Sequence, residues 1–354
     1  MTPERPAGAG AFPISVEPSR QPLPDRAALY GALDLGTNSC RMLIARPVGN
    51  RFQVIDSFSK PVQLGAGLEV SGRLGHGPMG RAIGALRICR RKLDRHRVRR
   101  MRLVATEACR RAANAAEFIA RVREQTGLAL EIIPPEEEAR LAVISCASLV
   151  SVTTEQLLVV DIGGGSTELV WLDLSHVPQA ERPQSIMRLR RGFVQPDAAK
   201  PVARVVDWIS VPLGVATLRD QFHDVDDDGA RFALMSWFFE ENLADFSPYA
   251  RQQDRAGFQI IGTSGTITTV AASFLGLRRY DRNRVDGLCM TSDQIDRVIA
   301  EYLALGPEGR RTDPRIGRDR HTLIMSGAAI LQALLRVWPT DRMSVADRGL
   351  REGL

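Results

Sequence analysis

Lysine is almost missing from this chain: it occurs only at Lys60, Lys92 and Lys200 in 354 residues, so the net charge of +6 is carried by arginine. Aromatic residues make up only 6%. That leaves few rings on which successive bases could stack, and no specific nucleic-acid partner is expected. No apolar run approaches the roughly 20 residues of a membrane span. The segment MTPERPAGAGAFPISVEPSRQPLPDR lacks the apolar core of a secretion signal. It is rich in proline, glycine and alanine, so residues 1–27 are expected to form a disordered tail. The five cysteines (Cys40, Cys89, Cys109, Cys146, Cys289) are odd in number and show no metal-ligand spacing. They read as reduced thiols of a cytoplasmic protein. No Ser–His or Cys–His arrangement is apparent, which disfavours a covalent enzyme intermediate.

What the chain does have is a glycine turn between two apolar runs. Residues 157–170 read LLVVDIGGGSTELV. A short apolar run ends in Asp161, then come Gly163, Gly164, Gly165 and Ser166, and a second apolar run leaves through Glu168. This is a β-hairpin pattern. Glycines permit close backbone approach to a ligand, and successive N–H groups in such a turn can cradle an anion. Two carboxylates beside a phosphate cradle suit a hard cation such as Mg²⁺, which makes Asp161 and Glu168 the candidate metal ligands.

The pattern occurs twice. Residues 30–45 read YGALDLGTNSCRMLIA, with Asp34, Gly36, Thr37, Asn38 and Ser39 in the corresponding places. Two such units at domain-scale separation imply a duplicated fold with a cleft between similar lobes. The chain length agrees with two domains. A third glycine element, Gly262, Thr263, Ser264, Gly265 and Thr266, lies between a strand pattern and a helix pattern, where backbone N–H groups again face a common point.

Periodicity supplies the rest. Strands are expected at residues 30–45, 52–58, 98–106, 128–133, 208–212, 259–262 and 343–345, with a further strand and loop over 60–70. Helices are expected at 78–95, 106–114, 115–126, 135–150, 232–243, 292–303, 321–337 and 348–354. Gly127 reads as a C-cap and Ser292 as an N-cap. Pro134 and Pro135 suit a helix start. Glu136, Glu137 and Glu138 fall in its first turn, where the helix dipole favours acids. The dipole accounts for three acids there; it does not account for their place directly before the central hairpin. The run DVDDDG at 224–229 resembles a calcium loop but lacks the bidentate glutamate, and reads as an acidic turn. Arg87, Arg90, Arg91, Arg95, Arg97, Arg99 and Arg100 form a dense basic stretch. It suits either a polyanionic partner or a solvated helix face.

These segments, in this order, resemble the exopolyphosphatase / guanosine pentaphosphate phosphohydrolase (Ppx/GppA) phosphatase family. The matching stretches are ALDLGTNSCRMLIA at 32–45, VATEACRRAAN at 104–114, EEEARL at 136–141, VVDIGGGSTELV at 159–170, SVPLGVATL at 210–218, IGTSGTITTVA at 261–271 and VADRGLREGL at 345–354. The resemblance implies an α/β fold of two ribonuclease-H-like lobes around a central cleft, as in sugar kinases, heat-shock chaperones and actin. The lobes would span 28–138 and 139–354, the second carrying an insertion near 175–204 that is expected to protrude as a loop. It implies Glu138 as the base that activates water and Arg110 as a fork for substrate phosphate. Arg41 is a weaker candidate, a surface ion pair being the alternative. The chain departs from the family in having Pro134-Pro135 where Ser-Gly is usual. It ends at the core, so the helical phosphohydrolase module of longer members is not expected.

The expected activity is Mg²⁺-assisted hydrolysis of the terminal phosphoanhydride of inorganic polyphosphate, with guanosine pentaphosphate as the alternative substrate. A kinase or a non-catalytic scaffold of the same superfold is disfavoured by Glu138 and the intact set of acids. A homodimer is possible; no membrane association is expected.

Overall fold

The computed structural model describes residues 28–49, 51–194, 201–250 and 257–354, so the expected tail at 1–27 lies outside the described residues. Two sheets organise it. The first contains β1 (Tyr30–Leu35), β2 (Ser39–Val48), β3 (Arg51–Pro61), β4 (Arg100–Ala105) and β5 (Glu131–Ile132), in the order β3-β2-β1-β4-β5. The second contains β6 (Gln156–Ile162), β7 (Thr167–Asp173), β8 (Arg204–Val211), β9 (Phe258–Thr263), β10 (Cys289–Met290) and β11 (Met343–Ala346), in the order β10-β11-β9-β6-β7-β8.

The two sheets repeat one plan. Each opens with an antiparallel three-stranded meander, and parallel strands then extend the sheet from its first strand: β4 and β5 beside β1, β9 and β11 beside β6. β10 is an addition to the second sheet. This is the duplicated ribonuclease-H-like topology that the resemblance implies.

The sheets differ in how they are covered. All seven residues of β7 are buried, as a strand packed on both faces requires. On one face Trp171 stacks on Phe258, with ring centroids 5.2 Å apart, in a core shared with the helices Asp228–Glu241, Gly265–Phe274 and Ile324–Val337. Burying a side chain of this size contributes on the order of 2–3 kcal/mol. On the other face the helix Pro135–Cys146 packs through Ala139 and Val143. β1 instead alternates: Leu33 and Leu35 are buried with Ile83 and Leu86 of the helix His76–Arg95, while Tyr30, Ala32 and Asp34 face the other way.

Several expectations are corrected. Residues 62–67 form a loop and Leu68–Ser71 a short helix, so no separate strand occupies 60–70. The segment 175–204 does not protrude where it is described: it folds back and buries Ile186, Leu189 and Ala203 on the outer face of the second sheet. Its apolar residues, sparse among proline and arginine, carry that packing. The N-cap of the helix Ser292–Thr312 is Thr291, whose hydroxyl accepts from the Gln294 N–H in a capping box. The acidic turn at 224–229 caps a helix, with Asp227 accepting from the Ala230 N–H at 2.7 Å. Gly127 is a left-handed C-cap with φ 67°. The boundary drawn at residue 138 falls inside the helix Pro135–Cys146, which joins the lobes.

The chain closes with the short helix Leu350–Gly353, laid against the helix Pro135–Cys146. A Cβ on Gly353 would stand 2.3 Å from the Leu141 carbonyl oxygen. Gly353→Ala should therefore lower stability by about 1–3 kcal/mol, the usual cost of overpacking. Gly80→Ala, at an exposed helical position with nothing within 4 Å, should raise it by about 0.5–1 kcal/mol. Thermal unfolding of both variants checks the pair; equal shifts would show that the contact at Gly353 carries no weight.

Candidate active site

The parallel strands of both sheets end at one cleft, the usual location of a site in open α/β sheets. Asp34 lies near the end of β1, Glu107 just after β4, Asp161 near the end of β6, and Thr263, Ser264 and Gly265 at the end of β9. Glu138 reaches the same cleft from the first turn of the helix Pro135–Cys146.

The two hairpin turns meet across the cleft. A Cβ on Gly164 would stand 3.0 Å from the Asn38 Cβ, and one on Gly165 2.5 Å from the Thr37 Oγ1. Only glycine lets these backbones come so close. The turn carbonyls of Gly163 and Gly164 accept from the Val215 and Ala216 N–H groups at 3.0 and 2.9 Å. The N–H groups of Thr37, Asn38, Gly164, Gly165 and Ser166 donate no hydrogen bond among the described residues. The Thr37 Oγ1 is buried without a partner. Unspent donors at one cleft are what an anion site requires.

The acids are crowded. Asp34 and Asp161 have no hydrogen-bond or ion-pair partner among the described residues, and both line the cleft. Loss of water raises the Asp34 pKa, against the pull of Arg41 and Arg351. Asp161 is pushed up to about 8, by desolvation first and then by the charges of Glu138 and Asp34. Glu168 rises to about 7, by burial and by Asp161, opposed by the Ser166 and Ser210 hydroxyls that donate to it at 2.6 and 2.9 Å. Glu138 is held well above the usual carboxylate range by burial and by Glu168, against Arg110.

Not every expected residue lines the cleft. Glu168 pairs with Asp161 across the hairpin but is 2% exposed and stands behind it. Gly262 is inside β9, where a Cβ would stand 2.5 Å from both Ile267 and Met343; packing, not ligand approach, requires glycine there. Arg110 also stands back. Its guanidinium donates to Glu107 at 2.7 and 3.0 Å, to Glu138 at 2.7 Å and to the Ile133 carbonyl at 3.0 Å. In this arrangement it orients Glu138 and is not spread toward a substrate. None of the basic residues at 87–100 lines the cleft; Arg87 and Arg90 are bonded to Gln125 and Asp94.

The cleft cations are others. Arg41, Arg320 and Arg351 line it. Arg41 has no partner among the described residues, so the surface ion pair weighed for it is not formed. The Arg320 guanidinium donates to the Gly265 carbonyl and the Thr268 and Thr269 hydroxyls, and pairs with no carboxylate among the described residues. Burial lowers the pKa of Arg320 and of Arg351. Periodicity gave no sign of Arg320, which sits in the irregular stretch before the helix Ile324–Val337, nor of Glu107. Tyr280, 48% exposed, turns its hydroxyl to Asp347 and Thr268 beside Arg320.

The raised carboxyl pKa values set a pH dependence. A carboxyl whose folded pKa lies above its unfolded value favours folding when protonated, and loses that contribution as pH rises through the folded pKa. Asp161 should thus cost stability progressively from about pH 4 to pH 8. Asp161→Asn is expected to be more stable than the parent at pH 8, with the gap closing toward pH 5. Thermal unfolding against pH in metal-free buffer measures this; a constant gap would rule out the titration.

Similarity to known proteins agrees with the geometry. Residues 43–354 match the Ppx/GppA phosphatase family. A Ppx/GppA family member from Aquifex aeolicus is 30% identical, with 92% of this chain and 95% of that chain covered and a TM-score of 0.70. An exopolyphosphatase from Cytophaga hutchinsonii shares the fold at 22% identity and a TM-score of 0.76, covering 92% and 96% of the two chains. No helix among the described residues is long and apolar enough to cross a membrane. With the duplicated ribonuclease-H-like topology, the family match over most of its length shows that the chain belongs to the Ppx/GppA phosphatase family.

Proposed function

We propose that the protein hydrolyses the terminal phosphoanhydride of inorganic polyphosphate. One observation carries the reading: a carboxyl of raised pKa, Glu138, is fixed by Arg110 in a cleft whose other wall offers unspent backbone N–H groups. Hydrolysis of a phosphoanhydride needs a held phosphate, charge neutralisation and a water deprotonated for in-line attack. The N–H groups of 37–38 and 164–166, with Arg41, Arg320 and Arg351, would bind the phosphate oxygens. Glu138 would take the proton from the attacking water, and its raised pKa brings it toward the working pH of a base. Arg110 would keep its carboxylate aimed and ionisable.

The residues present fit a magnesium ion. Asp34 and Asp161 are unpartnered hard-oxygen donors at one cleft. Among the described residues no three acids, histidines or cysteines form a metal cage, and Mg²⁺ commonly takes only one or two carboxylates, filling its shell with water and substrate phosphate. Asp34 and Asp161 would hold it, with Glu168 supporting Asp161 from behind. When bound, it would neutralise charge developing on the phosphate oxygens.

Glu138→Gln should remove all but about a tenth or less of turnover, since general-base catalysis contributes roughly 10²- to 10⁴-fold. Polyphosphate binding should stay near the parent value, and the fold should be kept, because the Gln carbonyl can still accept from Arg110 and Glu107 keeps that guanidinium paired. Glu136→Gln, on the same helical turn, should keep full activity. A Glu138→Gln enzyme with near-normal turnover would remove the base from the mechanism.

Guanosine pentaphosphate is a second reading, favoured by one observation: Tyr280 offers an exposed ring beside Arg320. The two separate in one assay, phosphate release from long polyphosphate and from guanosine pentaphosphate with Mg²⁺. Polyphosphate should be the better substrate, with a KM that rises with ionic strength as contacts to a polyanion demand. Tyr280→Ala should leave its turnover unchanged. Release from the nucleotide alone, abolished by Tyr280→Ala, would establish the second reading instead.

A further inference from the structure

The open face of the first sheet carries a second cavity, of about 400 Å³, at the far end of β1 from the catalytic cleft. The alternation of β1 turns Tyr30, Ala32 and Asp34 to this face. Asp34 lies in the cleft; Ala32 and Tyr30 line the second cavity. Their partners on β2, Leu43 and Ala45, complete an apolar floor. Tyr30 and Phe52 stand at its walls, 40% and 45% exposed. Such rings are left in contact with water at a cost that an apolar ligand would relieve.

The rim carries three arginines and one carboxylate, that of Glu352. The Arg100 guanidinium lies 5.8 Å from the centroid of the Tyr30 ring and donates to its hydroxyl at 2.9 Å. No carboxylate pairs with Arg100 among the described residues. Arg102 differs, being tied to Glu131 and Glu137. Arg351 lines this cavity and the catalytic cleft alike. Its nearest carboxylate oxygen, on Glu352, is 3.6 Å away, beyond hydrogen-bond distance.

We propose that this cavity binds a small aromatic anion, with its ring on the apolar floor between Tyr30 and Phe52 and its acidic group on Arg100 and Arg351. Polyphosphate has no apolar part and gains nothing from this floor. An uncharged ring would leave the Arg100 guanidinium without a counter-charge and Arg351 with Glu352 at 3.6 Å. A planar ring bearing a phosphate, sulfonate or carboxylate satisfies both, and an arginine already stacked on a tyrosine is a platform for it. Because Arg351 faces both cavities, an anion that draws it outward weakens the hold of the cleft on substrate phosphate. By linkage the substrate must weaken the ligand by the same factor. This second half rests on the phosphatase reading; the existence of the site does not.

The test uses the full chain and 8-anilinonaphthalene-1-sulfonate, an aryl anion whose fluorescence rises on transfer to an apolar site. One saturable site is expected. Phe52→Ser and Arg100→Glu should each weaken its Kd by about tenfold, the scale of a lost ring or cation contact. Neither side chain lines the cleft, so turnover of polyphosphate without the probe should be unchanged, and since both are exposed the variants should fold. Tripolyphosphate should weaken probe binding by a factor that levels off, and the probe should raise the KM for polyphosphate by that same factor. An unchanged Kd in both variants would place the probe elsewhere and overturn the site. Displacement by tripolyphosphate without a plateau would place the probe in the catalytic cleft, and would overturn it too. Probe binding that responds to both variants, in a protein releasing no phosphate from polyphosphate, would support the cavity and overturn the functional reading instead.

Discussion

Arg110 ties the proposed base, Glu138, to Glu107 at a strand end of the first lobe. Its guanidinium is taken up by Glu107, Glu138 and the Ile133 carbonyl. Glu138 belongs to the helix that carries the chain into the second lobe, so this one buried side chain fixes the junction as well as the proposed base. Breaking a buried ion pair by removing one partner costs about 3–5 kcal/mol, because the other charge is left uncompensated. Glu138 would then lose the counterweight that Arg110 sets against burial and the charge of Glu168. The geometry of the cleft depends on this fork, although the fork itself stands back from the cleft wall.

The duplication explains why charge is arranged as it is. In the strand register of the first hairpin Asp34 stands opposite Arg41; at the same place in the second, Asp161 stands opposite Glu168. One lobe therefore brings an acid and a base, the other two acids. The closed approach of the two turns sets all of them around one volume, with Arg320 and Arg351 added from the second lobe and the chain's last helix. Burial works against both sets: desolvation raises the carboxyl pKa values and lowers those of Arg320 and Arg351. A phosphate with a divalent cation would supply the countercharges that both sets lack.

The face of the first sheet that offers Asp34 to the cleft is covered only in part, where Val104 packs with Leu141 and Leu350, while the second sheet is packed on both. This difference leaves Tyr30 and Phe52 beside unpaired Arg100 and creates the second cavity. Arg351 connects the two sites because the last helix crosses from the second lobe onto the first, an approach that Gly353 permits.

The sequence by itself determined the repeated unit. Two Asp-x-Gly turns between apolar runs specify local hairpins, and local hairpins are set by residues a few positions apart. The helix Pro135–Cys146 was equally legible, since proline and three acids at its start act within one turn. So were Asp34, Asp161 and the turn residues, and the family that their order implied. What decided the remainder was contact across distant stretches. The retreat of Glu168 behind Asp161 follows from its burial against Ser210 of the neighbouring strand β8, with Ser166 of its own turn donating beside it. The pairing of Arg110 with Glu138 joins residues of different helices, and Arg320 reaches the cleft from an irregular stretch with no period to read. The basic residues at 87–100 form a conspicuous run in sequence, yet those up to Arg95 lie on a helix that covers the first sheet's other face, Arg100 lies on β4 beside the second cavity, and none lines the cleft. Composition can register how many arginines there are; only tertiary packing decides which of them lack a partner.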